Sequence, residues 1–325
     1  MSVLGYGATS YESVEQAMEL VSECLRHGIT FFDCAEAYSN GDAEAILGEA
    51  LQRLNVPRCD IVVSTKIFKG GDGPNEIGLS RKHILEGTKA SLARLQLPYL
   101  DMVLAHRPDD STPMEEVVRA FNMLLDHNLC LYWGASRWSA RQLTEAWTVA
   151  NRLGLVGPLV DQGPYSIAGC DDDAVRPWPH APTPPRGDGR SRVEREMIPL
   201  MEDYGMGLST FSPTAGGLLT GVVEPKSEIP IIRQGETEVF EVAKKLEPVA
   251  NELGCTVSQL AVAWAVRNRH VATVVFGTSK PSRIAEQVAA LELVPKLTDE
   301  VMVRIEAACG THPPAPPINE GYQYR

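Results

Sequence analysis

Short apolar runs of strand length alternate with longer stretches of helical spacing along most of the chain. Val14, Ala17, Met18, Val21, Cys24 and Leu25 recur at three and four residues, which predicts one buried helix face. Ser13 with Gln16 offers that helix a capping box, and Gly28 offers it an exit. Thr30-Phe31-Phe32-Asp33 then reads as a buried strand. The alternation continues as helix 42–54, strand 61–65, helix 80–95, strand 100–105, helix 113–127, strand 131–135 and helix 139–152. Strand 158–162, helix 193–204, strand 206–211, helices 238–253 and 256–268, strand 273–276 and helix 281–290 complete it, and the first strand falls at residues 2–6.

Eight strands, each followed by helical pattern, predict an α/β fold in which a parallel sheet closes into a (β/α)8 TIM barrel; an open doubly wound sheet is the rival. The length of 325 residues suits a single barrel domain over 1–325. Two stretches break the rhythm. Residues 168–192 carry Asp171-Asp172-Asp173 and five prolines between Arg176 and Arg186, which predicts a disordered, dispensable insertion after strand six. Residues 219–236 read as a second irregular loop, 311–325 as a C-terminal tail, and the first strand begins so early that the N-terminus is expected to be short.

Composition narrows the function classes. Hydrophobic residues at 44% and charged residues at 22% describe a packed soluble globule, and a net charge of −12 argues against a general nucleic-acid surface. The seven cysteines are scattered, odd in number and never spaced C-x-x-C, which predicts free thiols in a reducing compartment and no metal site. With no apolar stretch of about 18 residues and no signal pattern, a cytoplasmic protein without membrane insertion is expected.

In a barrel of this kind, reactive groups collect at the C-terminal ends of strands. Those ends carry Asp33, Lys66 and His106, with Tyr38 in the loop after Asp33. Each residue alone has an ordinary structural role, as a helix cap, a packed ring or a solvated tip. An acid, a phenol, an amine and an imidazole from three adjacent strands form a candidate catalytic group.

Gly28-Ile29-Thr30-Phe31-Phe32-Asp33-Cys34-Ala35-Glu36-Ala37-Tyr38, continuing to Glu44 and Leu47-Gly48, resembles the first signature of the aldo-keto reductases. The steps from Asp33 to Tyr38 (5), Tyr38 to Lys66 (28) and Lys66 to His106 (40) match that family's tetrad. Thr65-Lys66-Ile67-Phe68, Gly78-Leu79-Ser80-Arg81-Lys82-His83-Ile84, Arg107-Pro108-Asp109, Thr112-Pro113-Met114-Glu115-Glu116 and Tyr132-Trp133-Gly134 resemble the branch holding the voltage-gated potassium channel β subunits and similar fungal reductases. The resemblance implies NADPH-dependent reduction of a small-molecule aldehyde or ketone. Tyr38 would be the proton donor, Lys66 would lower its pKa, Asp33 would hold the lysine and His106 would orient the carbonyl. Channel β subunits usually carry Asn where His106 stands, so the histidine favours turnover. The alternative is a redox-sensing, NADP(H)-binding regulatory subunit.

The same resemblance implies a cofactor site. Ser136, with Arg137 beside it, and Gln162 would meet the carboxamide, and Phe211-Ser212-Pro213 would pack against the nicotinamide. Gly277, Ser279, Arg283, Glu286 and Gln287 fall in the adenosine-phosphate segment, where Arg283 would take the 2′-phosphate of NADPH. Gly7 and Thr9 flank the position of a further cofactor contact, and Lys226 and Arg233 are candidates for the pyrophosphate. The resemblance allows a homo-oligomer and a channel partner, though no segment of the sequence argues for the channel itself.

Overall fold

The computed structural model describes residues 2–169, 189–221, 223, 224, 226 and 230–310. Strands β1 (Leu4–Gly7), β2 (Phe31–Asp33), β3 (Val62–Ile67), β4 (Leu100–Ala105), β5 (Cys130–Ser136), β6 (Val160–Pro164), β7 (Gly207–Phe211) and β8 (Val271–Phe276) pair in parallel in chain order. Gly5 of β1 lies opposite Val275 of β8, so the sheet closes and the open alternative is excluded.

The two-residue period of a strand decides what fills the barrel. Phe31, Met102, Leu104, Val160 and Val275 form an apolar cluster of their own, with Val62 and Phe211 packed on it. Two residues further along β2, β3 and β6 the same faces turn polar, at Asp33, Ser64 and Gln162, all buried. The barrel is therefore plugged by hydrocarbon below and lined by hydrogen-bonding groups at its C-terminal mouth.

Helices α1 (Val14–Arg26), α2 (Asp42–Arg53), α3 (Arg81–Leu95), α4 (Met114–Asp126) and α5 (Ala140–Leu153) follow the first five strands. Ser13 caps α1 by accepting from the Gln16 N–H at 3.1 Å, but the Gln16 side chain accepts from Glu12 N–H, so the expected box is only half formed. A Cβ on Gly48 would lie 2.5 Å from the Leu95 carbonyl carbon, so α2 and α3 touch backbone to side-chain-free backbone there. Glu44 of α2, fully buried, accepts from the Thr65 hydroxyl and from Arg94 Nε at 2.7 Å, tying α2 to β3 and α3.

Two sequence expectations need correction. The helix after β6 begins at Gly189–Ser191, passes through a π-helical turn at Arg192–Met197 and continues as α6 (Ile198–Tyr204). Of the predicted insertion at 168–192, residues 170–188 lie outside the described residues, while both of its flanks are folded. Ala168 is buried, and Arg190 is 3% exposed, donating to Glu194 and Glu306 at 2.7 Å each. The loop read at 219–236 is also shorter, because α7 (Pro230–Leu253) already includes 230–236. Pro230 suits a first helical turn, where its missing N–H is not needed, and Gly235 masked the helical spacing. Helices α8 (Val257–Arg267), α9 (Ser282–Ala289) and α10 (Asp299–Cys309) complete the described chain, and the tail at 311–325 lies outside it. Among the described residues no helix is long and apolar enough to cross a membrane, and no His, Cys, Asp and Glu cluster is placed to hold a metal.

Candidate active site

The mouth of the barrel opens into a cleft of about 730 Å³. Asp33, Tyr38 and His106 line it, and Lys66 lies directly beneath, 1% exposed. The Lys66 ammonium donates to Asp33 Oδ2 at 2.5 Å, to the Cys34 carbonyl at 2.7 Å and to the Tyr38 hydroxyl at 3.2 Å. All three of its protons are therefore directed, which fixes a buried cation at one point. Asp33 is held in turn by its other oxygen, which accepts from Ser64 Oγ at 2.6 Å and Gln162 Nε2 at 3.2 Å. Tyr38 starts a short 3₁₀ turn, Tyr38–Gly41, whose Ser39 and Asn40 have positive φ, so the chain reverses immediately after the phenol.

Burial sets the protonation states. Desolvation would depress Lys66, but the charge and hydrogen bond of Asp33, with Tyr38, outweigh it and hold the ammonium above its ordinary range. Tyr38 was expected to be lowered by Lys66. Lys66 does act in that direction, but removal from water outweighs it, and the phenol is raised above its ordinary value of 10.0. His106 is pushed well below 6.5, first by burial and then by Lys66, Arg107 and Arg137. At neutral pH the mouth therefore presents a protonated phenol, a charged lysine and an uncharged imidazole.

The rest of the cleft runs from this group to the start of α9. Gly7, Thr9, Ser136, Arg137, Gln162, Phe211, Ser212, Pro213, Gly277, Ser279, Arg283 and Gln287 all line it. Ser136 Oγ donates to the Gln162 carbonyl at 2.9 Å, which leaves its lone pairs to accept. Arg137 and Ser212 take positive φ (59° and 52°), and the Arg137 guanidinium covers one side of the Phe211 ring at 4.7 Å. A Cβ on Gly277 would lie 2.6 Å from the Gly7 carbonyl oxygen, so the residue just past β8 closely approaches the end of β1 at the cleft edge. Gln287 donates from Nε2 to Ser258 at 3.0 Å, while its buried Oε1 has no hydrogen-bond partner.

Glu286 does not line the cleft; its carboxylate accepts from Thr256 Oγ1 at 3.3 Å. Lys226 is exposed and also absent from the lining, and the Arg233 side chain lies outside the described residues. Sequence reasoning missed Thr214, Gly216, Gly217 and Lys280, which do line it. The adjacent glycines were the available signal: both have positive φ (66° and 94°) in the turn Ala215–Thr220 after β7.

Comparison with known proteins agrees with this geometry. Residues 3–309 match the model of the aldo/keto reductase family. The chain is 44% identical to a probable voltage-gated potassium channel subunit beta of Oryza sativa subsp. japonica, covering 96% of this chain and 94% of the relative. It is 43% identical to a protein of the same description from Arabidopsis thaliana, covering 97% and 95%. A putative voltage-gated potassium channel subunit beta from Schizosaccharomyces pombe is 37% identical over 93% of this chain and 86% of its own length. Strand by strand and along nearly its whole length, the chain belongs to the aldo/keto reductase family, a family of oxidoreductases.

Proposed function

We propose that this oxidoreductase reduces an aldehyde or ketone to an alcohol with NADPH, and that Tyr38 gives the proton. The observation that carries this reading is the buried triad in which Lys66 bridges Asp33 and Tyr38 at 2.5 and 3.2 Å. A donor must be protonated before the reaction and tolerable as an anion after it. Burial keeps Tyr38 protonated, and the fixed ammonium stabilises the phenolate that remains when the proton leaves. Asp33 keeps the ammonium charged and aimed. His106, uncharged, donates a hydrogen bond that orients the carbonyl oxygen beside the phenol.

The cleft residues fit a phosphorylated dinucleotide. The cleft joins the catalytic mouth to Lys280 and Arg283, two basic side chains at the start of α9. The unpartnered Gln287 Oε1 calls for a donor such as an exocyclic amine, and the Ser136 lone pairs call for an amide N–H. Arg283 and Ser279 would hold the 2′-phosphate, and Ser136, Arg137 and Gln162 the carboxamide end, with Phe211, Ser212 and Pro213 walling the ring. Gly7, Thr9 and Gly277 would border the bound chain of atoms. When bound, NADPH supplies the hydride that reaches the carbonyl carbon. Consumption of NADPH with an aldehyde panel, matched mole for mole to alcohol formed, tests the reading; no alcohol from any member overturns it.

The potassium channel subunit names of the relatives favour a second reading, a regulatory subunit that binds NADP(H) and reports redox state to a channel. Tight NADPH binding without turnover in the same assay would select it.

A further inference from the structure

Glu36 stands two residues before Tyr38 in the turn leaving β2, is 1% exposed and does not line the cleft. Its Oε1 accepts from the Phe68 N–H, just past β3, at 2.7 Å and lies 3.2 Å from His83 Nε2. Its own N–H donates to the Lys66 carbonyl at 3.2 Å. His83, in the first turn of α3 and 3% exposed, sets its Nδ1 2.9 Å from the Gly78 carbonyl oxygen. A carbonyl oxygen only accepts, so Nδ1 carries a proton; an ionised carboxylate only accepts, so Nε2 carries one as well. Both contacts fit a ring protonated on both nitrogens, an imidazolium paired with the buried Glu36 side chain. Room for it is left by two glycines, since a Cβ on Gly70 or Gly87 would lie 2.9 Å from Glu36 Oε2.

We propose that Glu36 and protonated His83 are positioning residues for Tyr38: their ion pair clasps the turn bearing the phenol to the end of β3 and the start of α3. The proposal rests on the reading of Tyr38 as proton donor. Loss of the His83 proton turns a lone pair toward the Glu36 carboxylate, replaces attraction by repulsion, and loosens the turn. Neither Glu36 nor His83 lines the cleft, so the clasp reaches the chemistry through where the turn bearing Tyr38 sits against the end of β3, whose Lys66 carbonyl accepts from Glu36 N–H.

Burial opposes the charge on His83, but the Glu36 hydrogen bond and charge, the Gly78 carbonyl and Glu76 outweigh it and raise the imidazole above 6.5. The charged groups acting on it are thus Glu36 from the β2 turn and Glu76 from the loop before α3. A raised pKa means that the stabilisation is complete below the ordinary imidazole range and is lost as pH rises through the raised value.

The test is a pH titration of the full chain by NMR, following the His83 imidazole and the Tyr38 ring, the latter assigned with Tyr38→Phe. The Tyr38 signal is expected to move with the midpoint of His83. Glu36→Gln should lower that midpoint by about one unit or more. His83→Gln, whose amide can donate to Glu36 without titrating, should remove the shared step from the Tyr38 signal. If carbonyl reduction is measured in parallel, the wild type should show an alkaline fall in kcat at that midpoint, absent in His83→Gln. A Tyr38 signal indifferent to His83, or an unshifted His83 in Glu36→Gln, overturns the clasp. A coupled titration in a protein that reduces no aldehyde upholds the clasp and contradicts the catalytic reading instead.

Discussion

The rings of Tyr38 and His106 meet edge to face, with centroids 5.8 Å apart and planes at 79°. The Lys66 ammonium lies 4.8 Å from the Tyr38 ring centroid, and its charge also acts on His106. A second positive charge on the imidazole would crowd that cation, and burial already opposes it.

His106 is accordingly expected to stay neutral as pH falls through 6.5, where the unfolded chain takes up its proton. A depressed pKa of this kind contributes stability that is present above the unfolded value and lost as pH falls. Long-range nitrogen–proton NMR should show a single neutral tautomer at pH values around 6. The pH profile of kcat/KM should show no imidazole limb from this residue there. A His106 imidazolium at that pH would contradict the assignment of His106 as a neutral hydrogen-bond donor.

Arg190 anchors the chain just after the segment 170–188. It is paired with Glu194 and Glu306, and its guanidinium lies 4.8 Å from the Trp264 ring centroid. Breaking a buried ion pair leaves uncompensated charge, so Arg190→Ala should cost about 3 kcal/mol, the low end of the range because both glutamates retain some solvent. Denaturant unfolding measures it, and a change within experimental error would show that the pair contributes nothing. Replacing residues 172–186 with a short Gly-Ser linker, by contrast, is expected to leave the melting temperature and aldehyde turnover nearly unchanged. A large rise in KM with folding intact would make that segment a lid.

Much of this architecture was legible because barrel strands are short, apolar and regularly spaced. Asp33, Lys66 and His106 could be found as the polar residues that end such runs. The start of α7 was hidden because Pro230 and Gly235 read as loop residues, although a first turn tolerates one and a long helix the other. The net upward shift of the Tyr38 phenol was not legible. Proximity of Lys66 follows from spacing, but the desolvation that outweighs it depends on how completely the barrel mouth is enclosed. The pairing of Glu36 with His83 was equally invisible, since the loop and helix between them set their meeting.

Arg283 is expected to decide cofactor choice. It lines the far end of the cleft on the first turn of α9. A charge-assisted contact to phosphate contributes about 1.5–3 kcal/mol, so Arg283→Ala should weaken NADPH binding about ten- to hundredfold and NADH binding little. Fluorescence titration with both cofactors measures this. Equal losses for the two would show that Arg283 acts on the fold of α9 and not on a 2′-phosphate.

The proton donor is tested most directly by single-turnover reduction of an aldehyde by the NADPH-loaded protein, comparing wild type with Tyr38→Phe. The phenyl ring preserves the packing against His106 while removing the hydroxyl that Lys66 contacts at 3.2 Å. General acid catalysis contributes roughly 10²–10⁴-fold, and the rate should fall by that factor with NADPH affinity retained. A mutant that reduces the aldehyde at the wild-type rate would contradict the account.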